Sequence, residues 1–231
     1  MQHDATMDFP LGQSVNKGGP IRPLAERMRP LSLNEVIGQD HLLGNACLLP
    51  KLIRENRVGN LIFAGPPGTG KTSFATVIAM EGSCKLLKVN AVTSNVAELR
   101  ETLKLAKYHG AEKCYLFVDE IHRFNKAQQD LLLPDIESGE VRLIGATTHN
   151  PRYYVIDPLL SRSHLFSLKS VDEKIIEQAL HFCLTDRERG LGDRQCSAEE
   201  GTLASLALFA EGDMRRAYNL LETIVEGLPE G

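Results

Sequence analysis

The stretch Gly65-Pro66-Pro67-Gly68-Thr69-Gly70-Lys71-Thr72 limits more tightly than any other what this chain can fold into. It fills the pattern Gly-x-x-x-x-Gly-Lys-Ser/Thr, directly after the apolar run Leu61-Ile62-Phe63-Ala64 and at the opening of a helix-like stretch. Such a loop works only between the end of a strand and the start of a helix. There its glycines let backbone N–H groups wrap a phosphate, and the helix N-terminus adds partial positive charge. In that setting Lys71 reaches the β- and γ-phosphates of a nucleotide, and Thr72 offers a hydroxyl to Mg2+.

The rest of the chain supplies the strands such a loop requires. Short apolar runs, LIFAG (61–65), LLKVN (86–90), CYLFVD (114–119), VRLIGATT (141–148) and HLFSL (164–168), alternate with helix-like stretches. Continuous apolar runs separated by helices predict strands buried on both faces, hence a parallel sheet joined by right-handed crossovers and an α/β fold. Beyond Lys169 the strands stop. Ser170-x-x-Glu173 reads as a capping box for a helix running to about Leu184, and the polar stretch DRERGLGDRQ as a loop. Leu203, Leu206, Ala207 and Ala210 fall at helical spacing, and a last helix begins near Asp213 with Met214, Ala217, Leu221 and Ile224 on one face.

This division gives a nucleotide-binding α/β domain over 21–169, a small all-helical domain over 170–226 and a tail over 227–231. Residues 1–20 carry too few apolar side chains to offset the entropy of ordering and are expected to form a disordered leader. Between leader and sheet, the Pro- and Arg-punctuated segment IRPLAERMRPLSLNEVIGQ (21–39) reads as an ordered arm ending in a small apolar turn, Val36-Ile37-Gly38.

Composition excludes several classes. A net charge of -4 on 231 residues argues against coating nucleic acid by bulk electrostatics, so DNA contact would need a local patch or an assembled oligomer. Cys47, Cys84, Cys114, Cys183 and Cys196 are scattered without a Cys-x-x-Cys pair, as expected of thiols in a reducing compartment. No apolar run approaches bilayer length, so the expectation is a cytoplasmic chain without a membrane partner.

Other residues acquire tasks once the phosphate loop is in place. Asp119-Glu120 ends an apolar strand, where Asp119 would hold the Mg2+ shell and Glu120 would polarise the attacking water. Thr147-Thr148 ends the next strand. β-propensity alone explains threonines there, but an open parallel sheet binds its ligand at the carboxyl ends of its strands, which would put Thr148 beside the γ-phosphate. Arg215 and Arg216 put two cations into a helix first turn, against the dipole, so at least one should face an anion: a nearby carboxylate, or a phosphate for Arg215. In HRFNK (122–126), Asn125 and Gln128 suit a helix cap, and contact with DNA or an adjacent subunit is the alternative.

In their order along the chain, GPPGTGKT, LFVDE, GATT, LLSR and GDMRRA resemble an AAA+ ATPase of the clamp-loader and RuvB branch. PLAERMRP, VIGQDHLLG, AVTSNVAELR, FVDEIHRFNKAQQDLLLPDIESG and IGATTHNP narrow the resemblance to the RarA/MgsA family of replication-associated recombination proteins, whose eukaryotic counterpart is the Werner-helicase-interacting protein. The similarity runs from about Ile21 to Val225. It implies a five-stranded sheet of order 5-1-4-3-2, a helical lid, ATP and Mg2+ as ligands, and an adenine pocket lined near Val36, Ile37 and Gly38. It makes Thr148 the first sensor, Arg215 the second, and Arg162 of LLSR an arginine finger reaching the γ-phosphate bound by a neighbouring subunit. Asn90 occupies the place where some relatives restrain the catalytic glutamate.

The implied function is a DNA-dependent ATPase remodelling single-stranded or forked DNA in replication, recombination and repair. It would act as a homo-oligomer, with a single-strand-binding protein or replisome components as further partners. The alternatives are a clamp-loader-like protein-remodelling ATPase and a nucleotide-gated interaction module with negligible turnover. The sequence departs from the family pattern at Ser163-His164 after LLSR, and it stops at Gly231 where family members continue into an oligomerisation region. It is therefore either a fragment or a chain that assembles through its ATPase faces alone.

Overall fold

The apolar runs become β1 (Asn60–Ala64), β2 (Lys85–Asn90), β3 (Cys114–Asp119), β4 (Arg142–Thr147) and β5 (Ser163–Ser167) in a computed structural model that describes residues 22–44 and 47–228. The expected leader, and residues 229–231 of the expected tail, lie outside the described residues. Every pairing is parallel, in the order β2-β3-β4-β1-β5, which is 5-1-4-3-2 read from the other edge.

Twelve α-helices stand among the described residues. Preceding and within the sheet are α1 (Leu24–Arg27), α2 (Asp40–Leu43), α3 (Leu48–Arg54), α4 (Lys71–Glu81), α5 (Val96–His109), α6 (Lys126–Asp130), α7 (Leu133–Glu137), α8 (Pro151–Tyr154) and α9 (Asp157–Ser161). After the sheet come α10 (Glu173–Thr185), α11 (Thr202–Ala210) and α12 (Met214–Glu226).

Successive side chains of a strand point to opposite faces, and in the central strands both faces are covered. Leu61 and Phe63 of β1 pack with Phe74, Val77 and Ile78 of α4, while Ile62 between them packs with Leu99 and Leu103 of α5. Burial on both faces is why these strands read as unbroken apolar runs. At the edges that expectation fails: β2 and β5 are largely half-buried or exposed, and Leu165 is 42% exposed. With only one hydrogen-bonded neighbour each, these strands carry Lys85, Lys88 and His164 on open faces, the kind of charge that blunts a sheet edge.

The helical cluster after β5 differs from expectation in two details. Its first helix is capped by Asp172, whose side chain accepts from Lys174 N at 2.9 Å, and not by Ser170. On α12 the buried stripe is Ala217, Leu221 and Val225, while Ile224 is 45% exposed, because the period of 3.6 carries the stripe from Leu221 to the i+4 position. On α11, Leu203, Leu206, Ala207 and Ala210 are all buried as their spacing predicts.

The arm links the two parts. Leu24 is fully buried in the core of the helical cluster, a burial worth about 1.5–3 kcal/mol, whereas Leu33 belongs to the core between the sheet and α4. At the arm's far end the buried Gln39 amide makes two hydrogen bonds to the backbone of Lys169, donating to its O at 2.8 Å and accepting from its N at 3.0 Å. The arm is therefore pinned to the connection between the sheet and the helical cluster.

Candidate functional site: a cleft at the carboxyl ends of the strands

β4 lies between β3 and β1, and β1 between β4 and β5, so the chain reverses its direction across the sheet beside β1. Open parallel sheets bind ligands at such a point, outside the strand carboxyl ends. There the phosphate loop leaves β1, with Gly65 N donating to Thr147 O at 3.1 Å, and Gly70 in the left-handed region (φ 93°) caps α4.

One cleft is lined by the loop from Pro67 to Ser73, by Asp119, Glu120 and Thr148 from the sheet, by Met28, Val36 and Ile37 from the arm, and by Val171, Met214, Arg215 and Tyr218 from the helical cluster. It thus brings together Pro67, Gly68, Thr69, Gly70, Lys71, Thr72, Asp119, Glu120, Thr148, Arg215, Val36 and Ile37 of the expected set. Three others stand just behind its wall. Gly65 and Pro66 give their carbonyls to Lys71 Nζ at 2.8 and 2.7 Å, and Gly38 (φ 73°) packs so tightly on Val171 that a Cβ there would come within 2.9 Å of it.

The electrostatics of the cleft follow from partial burial. Burial pushes the Lys71 ammonium below its ordinary value, opposed by the carboxylates of Glu120 and Asp119. Burial and then the neighbouring Glu120 charge push Asp119 above the usual carboxylate range, opposed by the Glu120 N–H that it accepts at 3.1 Å. Asp119 and the Thr72 hydroxyl are hard oxygen donors, and among the described residues no group of three His, Cys, Asp or Glu could hold a metal ion alone. That set suits Mg2+ bound together with phosphate oxygens and water, its usual mode.

The two lid cations part ways. Arg216 pairs with Glu211 at 2.8 Å, while Arg215 lines the cleft. Arg162 is not in the cleft of its own chain. It follows α9, its Nη2 2.8 Å from Glu137 Oε1 and its Nη1 donating to Pro158 O at 2.9 Å. Asn125 and Gln128 form the reciprocal capping box expected for α6.

Sequence reasoning missed the groups behind Glu120. The ring of His122 stacks on that of His149 at 4.2 Å between centroids, and His122 Nδ1 lies 2.9 Å from Thr147 Oγ1 and 3.2 Å from Glu120 Oε2. Only the fold supplies this meeting: β3 and β4 run in register to Val118 against Gly145, which sets the residues after Asp119 beside Thr147 and those that follow it.

A five-stranded parallel sheet of this order, sharing its phosphate-binding cleft with a helical lid, is the layout of the AAA+ ATPases, and fold and cleft together define that class here. The family model for the Holliday junction DNA helicase RuvB P-loop domain matches residues 28–161. Replication-associated recombination protein A of Haemophilus influenzae is 46% identical over 206 residues, 88% of this chain and 46% of that protein; the Escherichia coli (strain K12) protein of the same name is 43% identical over 208 residues, 89% and 46%. ATPase WRNIP1 of Dictyostelium discoideum is 38% identical over 90% of this chain and 24% of its own length. Among solved structures, the RuvB Holliday junction branch migration motor of Thermotoga maritima superposes with a TM-score of 0.70 at 26% identity, covering 89% of this chain and 70% of that one. The chain belongs to the RarA/MgsA family of AAA+ ATPases, within the group defined by the RuvB P-loop domain. It spans just under half the length of these two recombination proteins A.

Proposed function

We propose that the cleft binds MgATP and hydrolyses it, and that the chain is the motor part of an oligomeric ATPase that remodels single-stranded or forked DNA in replication, recombination and repair. The observation that carries this reading is the convergence of Lys71, Thr72, Asp119, Glu120, Thr148 and Arg215 from separate elements on one cleft. Binding alone would need the phosphate loop. It would not need a carboxylate beside the Mg2+ ligand and a strand-end hydroxyl opposite.

In this reading the adenine lies against Val36 and Ile37 of the arm. Lys71 and Arg215 hold the β- and γ-phosphates, and Thr148 orients the lytic water. Glu120 takes the proton from that water as it attacks the γ-phosphorus and the bond to the bridging oxygen breaks, ADP carrying that oxygen away. Thr72 and Asp119 would hold Mg2+, which would supply positive charge to the phosphate oxygens. Because Arg215 belongs to the lid, loss of the γ-phosphate would loosen the lid, and that motion would be passed to bound DNA.

Arg162 completes the site of a neighbouring copy. Its side chain is 42% exposed and its pair with Glu137 is a surface pair, worth about 0–1 kcal/mol, so exchanging it for a phosphate costs little. The DNA part of the reading rests on the relatives' names, since the net charge of -4 gives no bulk attraction for nucleic acid. The test is ATP turnover with and without single-stranded or forked DNA at several protein concentrations. Turnover that rises with both supports an oligomeric DNA motor; turnover indifferent to both overturns it.

A further inference from the structure

Glu120 stands in the left-handed region (φ 55°), a conformation that costs a non-glycine residue about 1–3 kcal/mol and persists only where the surroundings enforce it. Asn90 does not enforce it, since its Oδ1 accepts from Val92 N at 2.9 Å and holds its own turn. Two other groups face the carboxylate, both on the same oxygen. His122 Nδ1 lies 3.2 Å from Glu120 Oε2, and Thr148 Oγ1 donates to Oε2 at 3.4 Å.

His122 is fixed on every side. Its side chain is only 4% exposed, its Nδ1 is 2.9 Å from Thr147 Oγ1, its ring stacks on His149, and the edge of Tyr154 meets it at 5.9 Å between centroids. Thr147 is anchored in turn, accepting from His149 N at 3.0 Å. Burial pushes the His122 ring below the ordinary histidine value, with Glu120 opposing, so at neutral pH the ring carries one N–H.

Where that proton sits decides what His122 does. With it on Nε2, the Thr147 hydroxyl donates to the single lone pair of Nδ1, which then has no hydrogen to offer Oε2. With it on Nδ1, the N–H lies between Thr147 Oγ1 and Glu120 Oε2, and the Thr147 hydroxyl turns to His149 O at 3.5 Å. The negative charge of Glu120 favours the second tautomer.

We propose that His122 is a positioning residue for Glu120: its Nδ1–H, anchored on Thr147 and acting with Thr148, fixes Oε2 so that Oε1 takes the proton of the attacking water. The proposal rests on the reading of the cleft as a site of ATP hydrolysis. His122 touches neither nucleotide nor water, so its loss should be felt in the chemical step and not in binding.

The experiment compares His122→Phe with His122→Asn, each with and without Glu120→Gln. It reads kcat and KM for ATP, the affinity for a fluorescent ATP analogue, and the thermal midpoint. Phe keeps the stacked ring without Nδ1, whereas the Asn amide can reach the place of Nδ1. Thr147→Val, which keeps the shape and removes the anchor, is a second route should His122→Phe fold poorly.

The expected result is a fall in kcat of about 10- to 100-fold for His122→Phe, with KM and analogue affinity within about twofold of wild type. His122→Asn should recover most of the loss, and in the Glu120→Gln background His122→Phe should cost less than about twofold more. An equal loss in both backgrounds, an Asn variant no better than Phe, or a loss appearing in affinity would overturn the proposal. Absence of turnover by the wild-type protein at any concentration would instead overturn the hydrolysis reading, and this proposal with it.

Discussion

Asp213 occupies the space where a side chain on Gly68 would begin: a Cβ there would stand 1.8 Å from Asp213 Oδ1. The same glycine's carbonyl accepts from Met214 N at 3.3 Å, so the phosphate loop is in direct contact with the first turn of α12, the helix that carries Arg215. The conformation of the loop and the position of the lid are thereby linked through contact.

Gly68→Ala should break that coupling. The residue needs φ 68°, and its Cβ must displace the side chain that caps α12 through Arg216 N at 2.9 Å. A loss of about 1–3 kcal/mol in urea unfolding and at least a tenfold loss of ATP affinity are expected. Unchanged affinity in a folded variant would show that loop and lid are independent.

Arg27 fastens the arm to the lid, giving Nη1 to the carbonyls of Arg189 and Gly190 at 2.9 and 2.7 Å and Nη2 to Glu222 at 3.3 Å. Arg27→Ala takes the side-chain donor from two carbonyls and leaves the mostly buried Glu222 carboxylate only the Leu24 N–H at 2.8 Å. Stability should fall by about 1–3 kcal/mol, and the KM for ATP should rise, because the arm carries Val36 and Ile37 into the cleft. Arg27→Lys should not rescue, since an ammonium lacks the fork that reaches all three acceptors. Full rescue by Lys would show that charge alone matters there.

Asp119 supplies a pH signature. Its pKa is raised in the fold above 3.8, so as pH rises through the window from 3.8 to the raised value the folded state gives up its proton later than the unfolded state and loses stability. At neutral pH the carboxylate is therefore a destabilising group. Asp119→Asn should unfold at higher urea than wild type at pH 7, and its advantage should shrink as pH falls toward 3.8, while Mg2+-dependent turnover is lost. An advantage of the same size at both pH values would contradict this.

What the sequence disclosed and what it hid divide along locality. β1, β3 and β4 were legible because burial on both faces leaves unbroken apolar runs, and the phosphate loop because its chemistry fixes residue types at fixed spacing. The assignment of α12's stripe to Ile224 instead of Val225 is a one-residue slip that spacing alone does not resolve. Leu24's place in the lid core, the Gln39 clasp on Lys169 and the His122–Thr147–Glu120 cluster each join residues brought together only by the fold. Arg162, an arginine finger by resemblance, rests on Glu137 within its own chain, a contact that nothing local foretold.

The most direct test of a site shared between neighbours mixes two inactive variants, Lys71→Ala and Arg162→Ala. Each alone should be nearly without turnover, the first lacking its phosphate ligand and the second its finger. Trans action predicts that the mixture regains turnover, to about a quarter of the wild-type rate per chain at equal amounts if neighbours assemble at random across a heterologous interface. A mixture as inactive as its components, at concentrations where the wild type is active, would contradict it.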